Sequence, residues 1–181
     1  MKSKTARAPS QAISVRLAGL AVVAAASLAA LLPAAAAART PTAISFSNTR
    51  QVVSVTPGPG TTFYTVSTGT SIAHGAITGS FALVDQSAVH QTSPQEDGHF
   101  GTIRINSVLT GHDGTIRIHL HGEFVSANPD GTETVLGRWT IVGGTGRYAD
   151  LHGTGTDDTT IDTTTETITD TLTGFAIYPG N

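Results

Sequence analysis

The chain has 181 residues, 39% of them hydrophobic and 13% charged, with ten Lys and Arg against thirteen Asp and Glu. With no cysteine, it has no disulfide framework, no lipid-modified N-terminal cysteine and no thiol nucleophile. The acidic balance argues against nucleic acid as a partner, because binding a phosphate backbone needs a basic surface.

The first element predicted is an export signal. Lys2, Lys4, Arg7 and Arg16 give a positive start, Leu17 to Leu32 an apolar stretch, and Pro33 to Ala38 an alanine-rich cleavage zone, with cleavage expected after Ala38. The apolar stretch is shorter than the roughly 20 residues that span a bilayer, so the chain is expected to be secreted and not stably inserted in a membrane. Removing residues 1–38 leaves 143, the size of one domain (residues 39–181), with six basic against thirteen acidic residues and a formal charge of −7. No lysine remains after Ala38, which removes Schiff-base chemistry.

Beyond the signal, Val, Ile, Thr and aromatic residues alternate in short runs bounded by Gly, Asn, Asp and Pro, which predicts an all-β domain. Strands are expected near Gln51 to Thr56, Thr62 to Ser67, Ile72 to Asp85, Thr102 to Thr110, Thr115 to Ser126, Glu133 to Val142, Gly153 to Ile161 and Thr165 to Ile177. The Ile72 run reads as one strand bent at Gly75 or Gly79, or as two. Eight antiparallel strands on short turns can close into a barrel whose interior is filled or holds one small ligand, with a two-sheet sandwich as the competing architecture. The turn Gly111-His112-Asp113-Gly114 makes a hairpin. Pairing Thr110 with Thr115 sets Ile105 opposite Leu120 and Leu109 opposite Ile116 on one face. The other face then joins Arg104 with His121, Asn106 with His119 and Thr102 with Glu123. Gln86 to His99 reads as a polar loop, Ala127 to Gly131 as a turn, and the threonine-rich Thr154 to Thr173 as wet hairpin surface.

The glycines at 143, 144 and 146 lead into another extended run and not into a helix, so they serve a sharp barrel corner and not a phosphate. This run, Trp139-Thr-Ile-Val-Gly-Gly-Thr-Gly-Arg-Tyr148 closing at Gly153, resembles the signature turn of the dirigent and allene oxide cyclase barrel superfamily. The hairpin Asp113 to Gly122 is similar to the small-residue turn and alternating strand of the same proteins, and the two matches cover Gly101 to Gly155. The resemblance implies an eight-stranded antiparallel barrel that holds a hydrophobic small molecule without a cofactor. Members guide radical coupling, cyclise an unstable epoxide or fold polyketide chains. The chain departs from the plant pattern at His152 and Ala149, where basic residues are usual, and keeps only Tyr178 of a terminal His-Tyr.

Several constellations carry chemistry on paper. His119, His121 and Glu123 share a strand face and could hold zinc, although a solvated polar face explains them as well. Arg104, Arg117, His119, His121 and Glu123 could act as acid/base equipment if they faced inward. If Ile103, Ile105, Ile116, Ile118 and Leu120 line the interior, the same group is ordinary outer surface. Asp85 shares a face with Ile77, Phe81 and Leu83, where burial would raise its pKa; otherwise it is a strand-end turn residue. Asp157, Asp158 and Asp162 lack the order of a calcium loop and read as a solvated acidic turn. No metal site and no cofactor is expected.

The leading expectation is an exported, cofactor-free barrel that binds an apolar small molecule and steers its cyclisation, isomerisation or coupling in secondary metabolism. Asp85, Arg104 and His121 are the expected polar agents, and Phe81, Trp139 and Tyr148 the cavity wall. The alternatives are a non-catalytic binding barrel and a cell-surface interaction domain with a filled core. A homo-oligomer, dimer or trimer, is compatible with either.

Overall fold

The computed structural model describes residues 40–92 and 100–177. The export-signal residues and Tyr178 lie outside them. Eight strands run in chain order: β1 Thr42–Pro57, β2 Thr62–Gly75, β3 Gly79–Gln91, β4 Gly101–Gly111, β5 Gly114–Ala127, β6 Thr132–Gly144, β7 His152–Asp162 and β8 Thr167–Ile177. Each pairs antiparallel with its neighbours, and β1 pairs with β8, so the sheet closes into a barrel in simple up-and-down order. Closure leaves no free edge for a further strand.

The β4–β5 hairpin has the register expected from its turn. Ile105 faces Leu120, Leu109 faces Ile116, Arg104 faces His121, Asn106 faces His119, and Thr102 faces Glu123. Elsewhere the boundaries move. Thr68 to Ser71 is strand interior, and the Ile72 to Asp85 run is the end of β2 and the start of β3, broken at residues 76–78. Gln86 to Gln91, expected as loop, continues β3; residues 93–99 are outside the described range. In the Ala127 to Gly131 turn, Asp130 Oδ1 accepts from the Thr132 N–H at 2.9 Å.

Period-2 alternation explains the interior. Phe46, Phe81, Leu83, Ile103, Ile105, Leu109, Ile116, Ile118, Leu120, Phe124, Trp139 and Leu172 point inward and are buried, while the intervening positions face out. Trp139 sits edge-on to Phe46, with ring centroids 5.9 Å apart, and its indole Nε1 donates to the Thr156 carbonyl at 3.0 Å. Room for the indole comes from Gly174, where a Cβ would lie 2.8 Å from the ring and 2.2 Å from the Thr154 carbonyl.

The glycine-rich corner closes one end of the barrel. Gly146–Tyr148 forms a single 3-10 turn that folds back over the β4–β5 hairpin. The Arg147 N–H donates to the Asp113 carbonyl and the Thr145 N–H to the Thr115 carbonyl, both at 2.9 Å. Gly146 has φ +59°, and a Cβ there would lie 2.2 Å from the Asp113 carbonyl oxygen, so no side chain fits the clasp. The turn drops Tyr148 and Leu151 into the barrel end, where Tyr148 meets Phe81 at 5.7 Å between ring centroids.

Candidate functional site: a cavity over a buried charge cluster

At the opposite end the described residues form a cavity mouth. A cavity of about 220 Å³ enters the barrel there, walled by Phe63, Val89, Ile103, Ile105, Phe124, Val135, Ile161 and Ile168, with Arg50, Ser87 and Thr159 as its polar lining in depth. It is somewhat smaller than typical drug-sized sites of roughly 300–1,000 Å³, which suits a small ligand or one end of a larger one.

Beneath the cavity the interior is charged. Ile44, Phe46, Asn48 and Arg50 alternate inward along β1, carrying a guanidinium that is only 2% exposed into the barrel centre. Its Nε lies 2.6 Å from Asp85 Oδ2 on β3, in an ion contact too angled to be a hydrogen bond, and its Nη1 donates to Asp170 Oδ2 on β8. Burial works against this cation, but Asp170 and Asp85 more than offset it, and the Arg50 pKa lies above its ordinary value. Small inward residues on β2 (Ser67, Gly69 and Ser71) leave space for the group; a Cβ at Gly69 would lie 2.7 Å from the Arg50 Cβ.

Asp157 on β7 is the third buried acid. Burial and the neighbouring Asp170 push its pKa up to about 7, against the opposing pull of a hydrogen bond from Thr159 and of the Arg50 charge. Thr159 Oγ1, which lines the cavity, donates to Asp157 Oδ2 at 2.8 Å. One hydroxyl therefore links the cavity to a carboxyl that gains and loses its proton near neutrality. Asp85 is also raised by burial, against the opposing charge of Arg50. Asn48 Oδ1, Asp85 Oδ1, Asp157 Oδ1 and Asp170 Oδ1 are buried without a hydrogen-bond partner. Buried acceptors of this kind are normally met by an ordered water or a ligand.

The structure redistributes the residues expected from sequence. Asp85 is inward and in the cluster. Arg104 and His121 are exposed on the outer face with Arg117, His119 and Glu123, because Ile103, Ile105, Ile116, Ile118 and Leu120 take the inner positions of the same strands. They are separated from the cavity by the barrel wall. Phe81 and Tyr148 pack into the closed end and Trp139 fills the middle of the core, so none of the three lines the cavity. Asp157, expected as solvated, is 3% exposed, whereas Asp162 ties down the β7–β8 turn by accepting from the Thr164 N–H at 2.8 Å. Among the described residues no three His, Asp or Glu side chains gather as a metal site.

Arg50, Asp157 and Asp170 were not singled out as buried. The available signal is parity: Asp170 alternates with Ile168 and Leu172 as Asp85 does with Phe81 and Leu83, and Arg50 continues the Ile44 and Phe46 series. Comparisons with protein-family models, with curated proteins and with solved structures return no match for this chain.

Proposed function

We propose that this barrel binds a small, largely apolar molecule in the cavity at its open end and steers that molecule's cyclisation, isomerisation or coupling without a cofactor, in the manner of the allene oxide cyclase-like barrels it resembles. The observation that carries the reading is the one-ended apolar cavity with Arg50 and Thr159 in its depth. Rigid walls hold a flexible ligand in one reactive shape, so part of the activation entropy is met on binding. The Thr159–Asp157 pair is the proton-transfer group, since its carboxyl changes charge at about pH 7. Arg50, clamped by two carboxylates, fixes the polar floor of the cavity.

A ligand screen by thermal shift and ligand-observed NMR tests this on the full chain. Small apolar molecules are expected to bind, and Ile161→Trp, which places an indole in the cavity, should abolish binding while the barrel stays folded. Retained affinity in Ile161→Trp refutes the site. Turnover of a bound unsaturated substrate should fall at least about a hundred-fold in Asp157→Asn with binding kept. Binding with no turnover in either protein would leave a carrier or storage barrel and remove the catalytic part.

A further inference from the structure

We propose that the molecule taken into this cavity is an apolar cation, a hydrophobic amine or quaternary ammonium, and that neutral and acidic molecules of the same shape bind more weakly. The inference rests on the cavity being the binding site and names the chemical class it selects.

The mouth of the cavity is acidic. Glu133 on β6, Asp162 at the end of β7 and Glu166 in the β7–β8 turn all line it, and among the described residues Arg50 is the one cation that does. Hydrogen bonds from the Thr165 side chain and from the Thr165 and Thr164 backbone N–H groups hold the Asp162 carboxyl below the usual range, so it stays charged. In the depth, Arg50 is already matched by Asp85 and Asp170, with Asp157 a third acid beside them. Three carboxylates line the cavity, and three more are buried beside its one guanidinium, so acids outnumber the single cation even though burial raises the pKa of Glu133, Asp85 and Asp157. Low-dielectric apolar walls focus such a field instead of screening it.

Among the buried polar atoms lacking partners, the oxygens of Asn48, Asp85, Asp157 and Asp170 outnumber the one cationic donor, Arg50 Nε, and stand beside two serine hydroxyls at Ser67 and Ser71; wherever such a carboxyl is ionised it requires a donor or a positive charge. Phe63 and Phe124 add aromatic surface, which attracts cations and does nothing for anions. An entering carboxylate would meet three acids at the mouth before reaching an arginine whose charge is already doubly matched. An ammonium with a hydrophobic body satisfies the walls and the field together.

The test uses three probes with one body: cyclohexylmethylamine, cyclohexylmethanol and cyclohexanecarboxylate, titrated calorimetrically into the full chain near neutral pH at low salt. The amine is expected to bind at least about ten-fold more tightly than the carboxylate, with the alcohol between them, and added salt should narrow the gap. Glu133→Gln with Glu166→Gln should weaken the amine about three-fold or more and leave the alcohol unchanged. Both side chains lie at the mouth outside the core cluster, so the fold survives the change. Carboxylate affinity equal to or above that of the amine, or an amine preference untouched by the double substitution, overturns the inference while leaving the cavity as a binding site. Failure of all three probes to bind removes the cavity reading and this inference with it.

Discussion

Asp157→Asn probes the interior charge directly. In the unfolded chain the carboxyl titrates near its ordinary value of 3.8, whereas in the barrel it does so at about 7. Below the lower value both states hold the proton and Asp157 has no influence on stability. Between the two the folded state alone keeps it, so stability falls as pH rises; above about 7 both states are ionised and the penalty is constant. At 1.36 kcal/mol per pH unit the full penalty is about 4 kcal/mol. Asn cannot ionise, so the stability difference between variant and wild type should swing in favour of the variant by about 4 kcal/mol from about pH 4 to about pH 8. Taking the difference cancels the groups common to both proteins. Urea unfolding followed by the fluorescence of Trp139, the single tryptophan and a fully buried one, measures it. A difference that stays flat across that range would mean that Asp157 ionises in the barrel as it does in water, and the proton-transfer role would fall with it.

Arg50→Met strands three buried acids and should cost about 3–5 kcal/mol at about pH 8, with part of the loss recovered on acidification as Asp85 and Asp157, both raised by burial, take up protons; urea unfolding at the two pH values checks it. Gly146→Ala places a methyl group against the Asp113 carbonyl in a left-handed backbone and should destabilise by about 2–4 kcal/mol, read as a lowered thermal midpoint. His121→Ala and Arg104→Ala, both on the outer face, should each change stability by no more than about 0.5 kcal/mol and leave ligand affinity unaltered, as measured by thermal unfolding and calorimetry.

The fold was legible where alternation was strong. Ile103, Ile105 and Leu109 against Ile116, Ile118 and Leu120, joined by a two-residue turn at His112 and Asp113, left one register that buries these six side chains together. It was illegible across Thr68 to Ser71 in the middle of β2, where the inner face is Ser67, Gly69 and Ser71. Those residues carry no hydrophobic signal because what they face is Arg50 and its acids. The same fact hid the candidate site. A sequence pattern separates apolar from polar positions, so charged residues on the inner parity of a barrel read as surface until their distant partners are known. Phe81, Trp139 and Tyr148 were expected as cavity wall on size alone. Phe81 and Tyr148 fill the sealed end and Trp139 the middle of the core, whereas the cavity lies at the other end among smaller side chains, with Phe63 and Phe124 its only rings among the described residues.

The pairing of β1 with β8 has a consequence for how the chain reaches this state. Arg50 and Asp170 stand 120 residues apart along the backbone, so the guanidinium, which can meet Asp85 on β3 early, must wait for its second carboxylate until nearly the whole polypeptide has been made. A ring of this topology forms few of its decisive pairings early and is expected to fold slowly, in milliseconds to seconds. Joining the two ends of the sheet brings the arginine its second carboxylate, so truncating the chain before Asp170 should leave an open, aggregation-prone sheet and not a smaller barrel.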